Sequence, residues 1–308
     1  MGRATERAVK THLAPWNLGG LSVRELGSRV YEEIWEDEVL DRAAALAYYF
    51  LFALFPTLLF LTTLLGLLPG PDLMAQLMDY IRRVMPPEAS GVVQKTLEQI
   101  VTGAGRGLLS VGVVVALWSG SSGMGSAMTA LNVAYGVTDP RPWWQRRLIA
   151  VALTVGFAVF VLLALLLLVS GGKMSSVLAA HLGFGDVFAV AWTVISLIIA
   201  VLLALVGIAL VYYFAPAVEQ DWRWLTPGST VCLLLWLCSS LALRFYVERI
   251  SDYNAAYGSI GGVILLLLWL YLSSVALLLG AEINSEIEHA AAQKGERSAK
   301  AEGERRAA

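Results

Sequence analysis

Six long apolar stretches that contain no charged side chain dominate the hydrophobic pattern of this chain. They cover residues 43–68, 107–131, 148–170, 187–215, 225–243 and 255–281. A helix rises about 1.5 Å per residue and the hydrocarbon core of a bilayer is about 30 Å thick, so about 20 apolar residues can cross it. Runs of Leu, Val and Ala without strand-like alternation favour helices over a barrel. The pattern therefore predicts an all-α, polytopic membrane protein with six transmembrane helices.

The distribution of Lys and Arg predicts how these helices are oriented. Of the 22 basic residues, 15 lie in the N-terminal segment, the second-to-third and fourth-to-fifth connections and the C-terminal tail. Five tryptophans flank the spans on that same side: Trp35, Trp143, Trp144, Trp222 and Trp224. Because basic loops stay in the cytoplasm and Trp settles at the interface, both termini are predicted to be cytoplasmic. The first 42 residues are polar, which predicts that no signal peptide is cleaved.

The polar segment before the first span, residues 1–42, contains a predicted amphipathic helix. Within residues 22–39 the apolar side chains recur at helical spacing, with charged side chains between them. The apolar positions are Val23, Leu26, Val30 and Ile34. This pattern is typical of a helix that lies on a membrane surface. We therefore expect a cytoplasmic N-terminal segment, followed by a transmembrane domain over residues 43–285.

Two further segments have a polar composition of their own. The connection 69–106 contains two amphipathic stretches separated by Pro86-Pro87, which predicts a helical hairpin on the outer face. This hairpin either caps the bundle or takes part in gating or partner contact, and the sequence leaves both open. The tail 286–308 is rich in Ala, Glu, Lys and Arg, and we expect a frayed helix that passes into cytoplasmic disorder.

Composition argues against a soluble enzyme. The chain is 57% hydrophobic and only 15% charged, whereas soluble domains carry about 25% charge. A net charge of −2 disfavours a nucleic-acid partner. The histidines His12, His181 and His289 lie in separate segments, and Cys232 and Cys238 are six residues apart in one span, too far for a disulfide. We expect no enzymatic activity, cofactor or metal.

The second span is unusually rich in small and hydroxyl-bearing residues. Its candidate polar seam consists of Ser119, Ser121, Ser122 and Ser126, with Gly120, Gly123 and Gly125 between them. Such residues allow helices to pack closely in lipid, or their hydroxyls line a polar path. Pro56 in the first span could introduce a kink beside this seam, because its ring removes a backbone hydrogen bond. Both interpretations of the seam remain open at this stage.

Motifs at the ends of the spans carry a family resemblance. They are Asp41-Arg42-Ala43-Ala44, Leu131-Asn132-Val133-Ala134-Tyr135-Gly136, Arg141-Pro142, Tyr253-Asn254-Ala255-Ala256-Tyr257-Gly258 and Gly280-Ala281-Glu282-Ile283-Asn284. Together, from about Asp41 to Glu288, they resemble the YihY/virulence factor BrkB family of bacterial inner-membrane proteins, once mislabelled ribonuclease BN. The resemblance implies a six-helix protein of the bacterial cytoplasmic membrane, with members linked to serum resistance and suspected of lipid transport.

The predicted topology sorts the motif residues into two clusters. The inner-rim cluster contains Asp41, Arg42, Asn132, Tyr135, Arg141, Glu282 and Asn284, and the outer-rim cluster contains Asp252, Tyr253, Asn254 and Tyr257. We expect Arg42 to pair with Glu282 or Asp41 across the ends of the first and sixth helices. Asn254 stands just before the predicted sixth helix and is a candidate for its N-cap.

Two classes of function fit these features. The first is a transporter or flippase for a lipid or other amphiphile, in which only the headgroup needs a polar path. The absence of charged residues inside the spans disfavours a buried proton relay. The second is a scaffold or assembly factor that binds other envelope proteins. A lateral opening lined by Ser119, Ser122 and Ser126 would favour transport, and a closed bundle with a flat apolar patch would favour the scaffold.

Overall fold

In the computed structural model, every regular element of the described residues is helical. The structure describes residues 15–66, 79, 82, 90–91, 94–95, 106–160, 163, 185–218, 226–249 and 253–294. A short turn over Pro15–Gly20 precedes the helices. The helices are α1 (Val23–Glu36), α2 (Val39–Gly66), α3 (Arg106–Ala134), α4 (143–160, as far as described), α5 (Gly185–Phe214), α6 (Pro227–Arg249) and α7 (Tyr253–Gln293). The predicted all-α class is therefore confirmed.

Helices α2 to α7 overlap the six apolar stretches of the sequence. Among the described residues, three segments are long and apolar enough to cross a bilayer: Val194–Phe214, Pro227–Val247 and Gly261–Gln293. Large apolar side chains on the outside of the bundle, such as Leu197 and Leu241, are more than 60% exposed. A surface of this kind is stable in lipid and unstable in water. The chain is therefore a membrane protein.

Helix α7 organises the packing of the whole bundle. It contacts α1, α2, α3 and α6, while α2 also runs along the length of α3. The core between them contains the fully buried side chains Leu46, Met128, Leu131 and Leu278. With 41 residues, α7 is about 60 Å long, roughly twice the thickness of a hydrocarbon core. One end of α7 must therefore project beyond a bilayer.

The C-terminal end of α7 is covered by the N-terminal segment. Leu26 and Val30 of α1 pack against Ile287, so the apolar face of α1 contacts protein. The turn at Gly19 lies so close to α7 that a side chain there would overlap the Ile287 carbonyl oxygen. Lys294 Nζ donates to the Gly20 carbonyl at 2.6 Å.

These contacts correct two sequence predictions. The face of α1 that contains Leu26 and Val30 was expected to lie on the membrane surface, but it is buried against α7. Residues from 286 onward were expected to fray, but α7 continues to Gln293, and Ala290 and Ala291 are buried. Both differences have one cause. The C-terminal end of α7 is only weakly apolar, and it is stabilised as a helix because the N-terminal segment packs on it. Residues 295–308 lie outside the described part.

Most of the predicted outer hairpin, 69–106, also lies outside the described residues. Some helical positions on each side of Pro86-Pro87 are nevertheless described, among them Arg82 and Gln94. Arg82 Nη2 donates a hydrogen bond to Gln94 Oε1 at 2.7 Å. The chain therefore brings residues from the two amphipathic stretches side by side.

Candidate functional site

Asn132 connects the end of α3 to the segment that follows α5. Its Oδ1 accepts a hydrogen bond from the Ala217 backbone N–H at 2.6 Å, and its Nδ2 donates to Asp139 Oδ2 at 3.3 Å. Arg141 holds Asp139 through two hydrogen bonds of 2.7 and 2.8 Å and donates to the Ala215 carbonyl at 3.0 Å. Asn132 and Arg141, both predicted site residues, thus fasten the same two loops together.

The charge of Asp139 is stabilised within this network. Burial raises the pKa of Asp139, but the hydrogen bonds and the charge of Arg141, together with the charge of Arg146, outweigh that effect. The pKa of this carboxyl therefore lies below its ordinary value of 3.8. The carboxyl of Asp139 is therefore ionised in the folded protein near neutral pH.

Asn284 performs a similar task for the start of α6. Its Oδ1 accepts from the Gly228 backbone N–H at 3.0 Å, and its Nδ2 donates to Thr226 Oγ1 at 3.1 Å. The first N–H groups of a helix have no partner within the helix and need one from outside. Asn284 supplies it from α7, which makes its role structural. Tyr135, another predicted residue, is buried in the main core.

Glu282 lies in a separate acidic cluster at the same end of the bundle. Its side chain is 1% exposed, and its carboxylate lies close to those of Glu33 and Asp37. The expected pairing of Arg42 with Glu282 or Asp41 is not among the ion pairs of the described residues. Arg42 Nε instead donates to the Asp37 backbone carbonyl at 2.7 Å. Asp41 is exposed in the first turn of α2.

Arg42 also lines an open cleft of about 410 Å³ between α2, α3 and the start of α4, which we call the rim cleft. Its lining residues are Arg42, Ala45, Tyr49, Ser122, Gly125, Ser126, Thr129, Ala130 and Arg146. Two guanidinium groups and four hydroxyl groups therefore share one small cavity. This lining is basic and rich in hydrogen-bond donors, which suits an anionic group.

Arg146 reaches the rim cleft from α4, and the adjacent Arg147 contacts α3. Arg146 Nη2 donates to the Gly125 carbonyl at 3.0 Å and also to the Thr129 hydroxyl. Arg147 Nη1 donates to Ser122 Oγ at 3.1 Å, and its guanidinium lies 3.9 Å above the ring of Trp118. Gly125 has no side chain to cover its carbonyl, which allows the guanidinium of Arg146 to approach the helix. Arg146 thus forms one wall of the cleft, and Arg147 contacts Ser122, which also lines it.

The predicted polar seam of α3 divides between two environments. Ser122 and Ser126 line the rim cleft, whereas Ser121 is fully buried and donates to the Trp118 carbonyl at 3.0 Å. Ser119 is half-buried and is not among the cleft residues. Gly125 has no neighbour within 4 Å of the place where a side chain would begin. Gly125 therefore opens the cleft and does not serve close helix packing.

The outer-rim residues lie at the opposite end of α7. The helix begins at Tyr253, so Asn254 is its second residue and does not stand before it. Tyr257 follows in the next turn, while Asp252 and the side chains of the other three lie outside the described part. Pro56 lies within α2, which continues without interruption from Val39 to Gly66. Pro56 therefore does not end the helix.

Sequence patterns alone do not identify several of the cleft residues. Arg146 contributes only to the predicted topology, and the sequence assigns no role to Tyr49 or Thr129. One signal was available, because Ser122, Ser126 and Thr129 follow an i, i+4, i+7 spacing that places three hydroxyls on one helical face. The packing of α4 against that face could not be read from any local pattern.

Comparison with known proteins places the chain in a family. A family model described as Virulence factor BrkB matches residues 30–305. The chain belongs to the virulence factor BrkB family. It is 36% identical to a ribonuclease-like protein, YfkH, of Bacillus subtilis, over 80% of this chain and 88% of that protein. No solved structure matches the chain.

Other relatives of this BrkB-family chain carry membrane-protein names. It is 28% identical to the UPF0761 membrane protein Smlt0865 of Stenotrophomonas maltophilia, over 85% of this chain. It is also 28% identical to a UPF0761 membrane protein of Alkalilimnicola ehrlichii, over 84% of this chain. The matches span 60% and 57% of those two relatives, so the chain covers little more than half of their length. The predicted family is confirmed by these findings.

Proposed function

We propose that this BrkB-family protein moves a phosphate-bearing lipid across the bacterial cytoplasmic membrane, with the rim cleft as the headgroup site. The observation that carries the proposal is the joint presence of Arg42 and Arg146 in a cleft of about 410 Å³. Small-molecule sites commonly occupy about 300–1,000 Å³. The cleft is therefore large enough for a headgroup and too small for whole acyl chains.

The chemistry of the cleft fits a phosphate group. Guanidinium groups bind phosphate through paired, charge-assisted hydrogen bonds, and hydroxyls supply further donors. Arg146 is 35% exposed, so part of its guanidinium is available to a ligand although it already contacts Gly125 and Thr129. Ser126 and Tyr49 supply hydroxyls on the neighbouring helices. These groups would replace the water that a headgroup loses on leaving the bilayer surface.

The surroundings of the cleft suit the tails of the same lipid. Phe52 on α2 is 60% exposed, and Tyr48 and Trp118 are exposed as well. Such apolar surface favours hydrocarbon over water. A lipid could therefore place its headgroup in the cleft while its tails stay in the bilayer. A flippase needs this arrangement, because only the headgroup requires a polar path.

We further propose that six helices, α2 to α7, cross the membrane with both termini in the cytoplasm. The rim cleft then opens toward the cytoplasmic leaflet, because the N-terminal end of α2 and the C-terminal end of α3 form it. Exposed Trp35 lies just before α2 and exposed Trp143 and Trp144 lie just after α3, so all three are near this end of the bundle, where interfacial anchors are expected. Binding of headgroups would thus begin at the inner leaflet.

The test is reconstitution of the purified protein in liposomes that contain a fluorescent phosphatidylglycerol or a fluorescent glucosylceramide, whose neutral sugar headgroup carries no phosphate. We expect the protein to accelerate leaflet exchange of the phosphatidylglycerol, relative to protein-free liposomes, much more than that of the glucosylceramide. Loss of charge-assisted hydrogen bonds worth about 1.5–3 kcal/mol should slow the double variant Arg42→Gln/Arg146→Gln by about tenfold or more.

The matched control is Arg24→Gln, which removes an exposed cation of α1 that does not line the cleft. It should transport at the wild-type rate. Equal rates for the wild type and the double variant would refute the assignment of the cleft. If no lipid moves under any gradient while an envelope protein co-purifies with the chain, the transport proposal fails and a scaffold role replaces it.

A further inference from the structure

We propose that Glu33, Asp37 and Glu282 form a binding site for a hard divalent cation, distinct from the rim cleft. The three residues come from the end of α1, the turn after it and the C-terminal part of α7. One ligand oxygen from each carboxylate lies within 4.8 Å of the others. The fold thus gathers three acidic side chains from segments far apart in the sequence.

The buried member of this trio points to a missing partner. Glu282 is 1% exposed, and its Oε1 has no hydrogen-bond partner among the described residues. A buried carboxylate oxygen without a partner is costly, because it loses its water and gains nothing in return. A cation placed among the three carboxylates would satisfy this oxygen directly.

Glu282 differs in this respect from the neighbouring Glu286. Glu286 has Arg29 and His289 as partners, whereas Glu282 Oε1 has none among the described residues. Arg42 also approaches the cluster, because its Nε donates to the Asp37 backbone carbonyl.

The ligand atoms select the class of ion. Carboxylate oxygens prefer hard cations such as Ca²⁺, Mg²⁺ and Mn²⁺. Opposite oxygens around Ca²⁺ lie up to about 5.2 Å apart, twice its longest ligand distance, and around Mg²⁺ about 4.2 Å. A spacing within 4.8 Å therefore suits Ca²⁺ as it stands, and Mg²⁺ after a small closure. Glu33 and Asp37 are partly exposed, which gives the ion a route from water.

A bound cation would join the N-terminal segment to the long helix. Glu33 and Asp37 flank the junction between α1 and α2, while Glu282 belongs to α7. Asp37 also holds Arg42 through its carbonyl, and Arg42 lines the rim cleft. Occupancy of the cation site would therefore stiffen one wall of the cleft. The site itself does not depend on lipid transport.

The experiment measures binding of Ca²⁺, Mg²⁺ and Mn²⁺ to the full-length, chelator-treated protein in detergent, by calorimetry and by the paramagnetic signal of Mn²⁺. We expect one site per chain. Glu282→Gln keeps the size of the side chain and removes its charge, and it should weaken binding by at least about tenfold. Asp37→Asn, at a partly exposed position, should do the same and guards against a folding defect in the first variant.

The matched control is Glu286→Gln, one turn further along α7, which should bind the ion within about twofold of the wild type. Thermal unfolding should also shift upward with Ca²⁺ in the wild type and in this control, but not in Glu282→Gln. No saturable binding in the wild type, or equal binding in Glu282→Gln, would overturn the proposal. Failure of lipid transport with intact cation binding would leave the site standing.

Discussion

At the scale of single residues, the polar side chains of the rim fall into three groups with different tasks. Asn132 and Arg141 fasten loops, Asn284 completes the start of a helix, and Arg42 and Arg146 face a cleft. The sequence placed the first four of these residues in one cluster. Burial and partners separate them, since Asn132, Arg141 and Asn284 are held by contacts within the fold, whereas Arg42 and Arg146 line an open cleft.

Asp139 provides a pH-dependent test of the loop network. Because its pKa is lowered in the folded protein, its contribution to stability is complete above the unfolded value of 3.8 and is lost as the pH falls through the folded pKa. We expect the wild type to melt at a higher temperature than Asp139→Asn near neutral pH. This difference in melting temperature should shrink as the pH falls below 3.8. Thermal unfolding in detergent between neutral and acidic pH measures this difference.

The comparison with Asp139→Asn isolates this carboxyl from the other acidic groups that titrate in the same range. Pro140→Ala, an exposed change in the same loop, should preserve the wild-type pH profile. A constant difference in melting temperature at all pH values would contradict the role given to the charge of Asp139.

At the scale of elements, helices α6 and α7 approach each other very closely at two glycines. A side chain at Gly228 would overlap the Gly280 carbonyl oxygen, and one at Gly280 would begin 2.5 Å from the Gly228 carbonyl oxygen and 2.8 Å from Cys232 Cβ. Tyr212 Oη donates to the nearby Leu277 carbonyl at 2.7 Å. Small residues allow such an approach in lipid, where packing and hydrogen bonds hold helices together.

We expect Gly280→Ala to destabilise this contact by about 2 kcal/mol or more, because the added methyl group meets the Tyr212 hydroxyl, the Gly228 carbonyl oxygen and Cys232 Cβ. The measurement is the melting temperature in detergent, together with the fraction of protein that elutes as a single species. Gly156→Ala in α4 is the matched control, since an added Cβ there has no neighbour within 4 Å. That variant should be unchanged or slightly more stable, because Ala favours helix over Gly. A harmless Gly280→Ala would show that the two helices can separate without cost.

At the scale of the whole molecule, the proposed topology predicts where reporters fused to the chain are active. A fluorescent protein fused after Lys294 should fluoresce, and alkaline phosphatase fused there should be inactive, because that end is expected in the cytoplasm. A phosphatase fused within the 69–106 connection should be active. The physical basis is the 15 of 22 basic residues on one side, which are retained in the cytoplasm. The reverse pattern of activity would show that the topology is the opposite of the one proposed, with the rim cleft at the outer leaflet.

The apolar pattern predicted most of the architecture. The bounds of the helices follow it closely, since α5 covers Gly185–Phe214 where the sequence predicted 187–215. Helix α1 was predicted from four apolar positions, and its N-cap Ser22 accepts from the Glu25 backbone N–H at 3.2 Å. The extension of α7 to Gln293 was missed, because its stability comes from contacts with residues more than 250 positions away.

The sequence by itself determined the solvent, the helical class and the family of this protein, because charge exclusion, helix length and short motifs are local properties of the chain. Only the tertiary structure decided which polar residues act together. It joined Arg42 with Arg146 in a cleft and gathered Glu33, Asp37 and Glu282 in one cluster. These groupings depend on how helices pack side by side, and packing is set by shape and contact over long sequence separations, which a linear pattern does not contain.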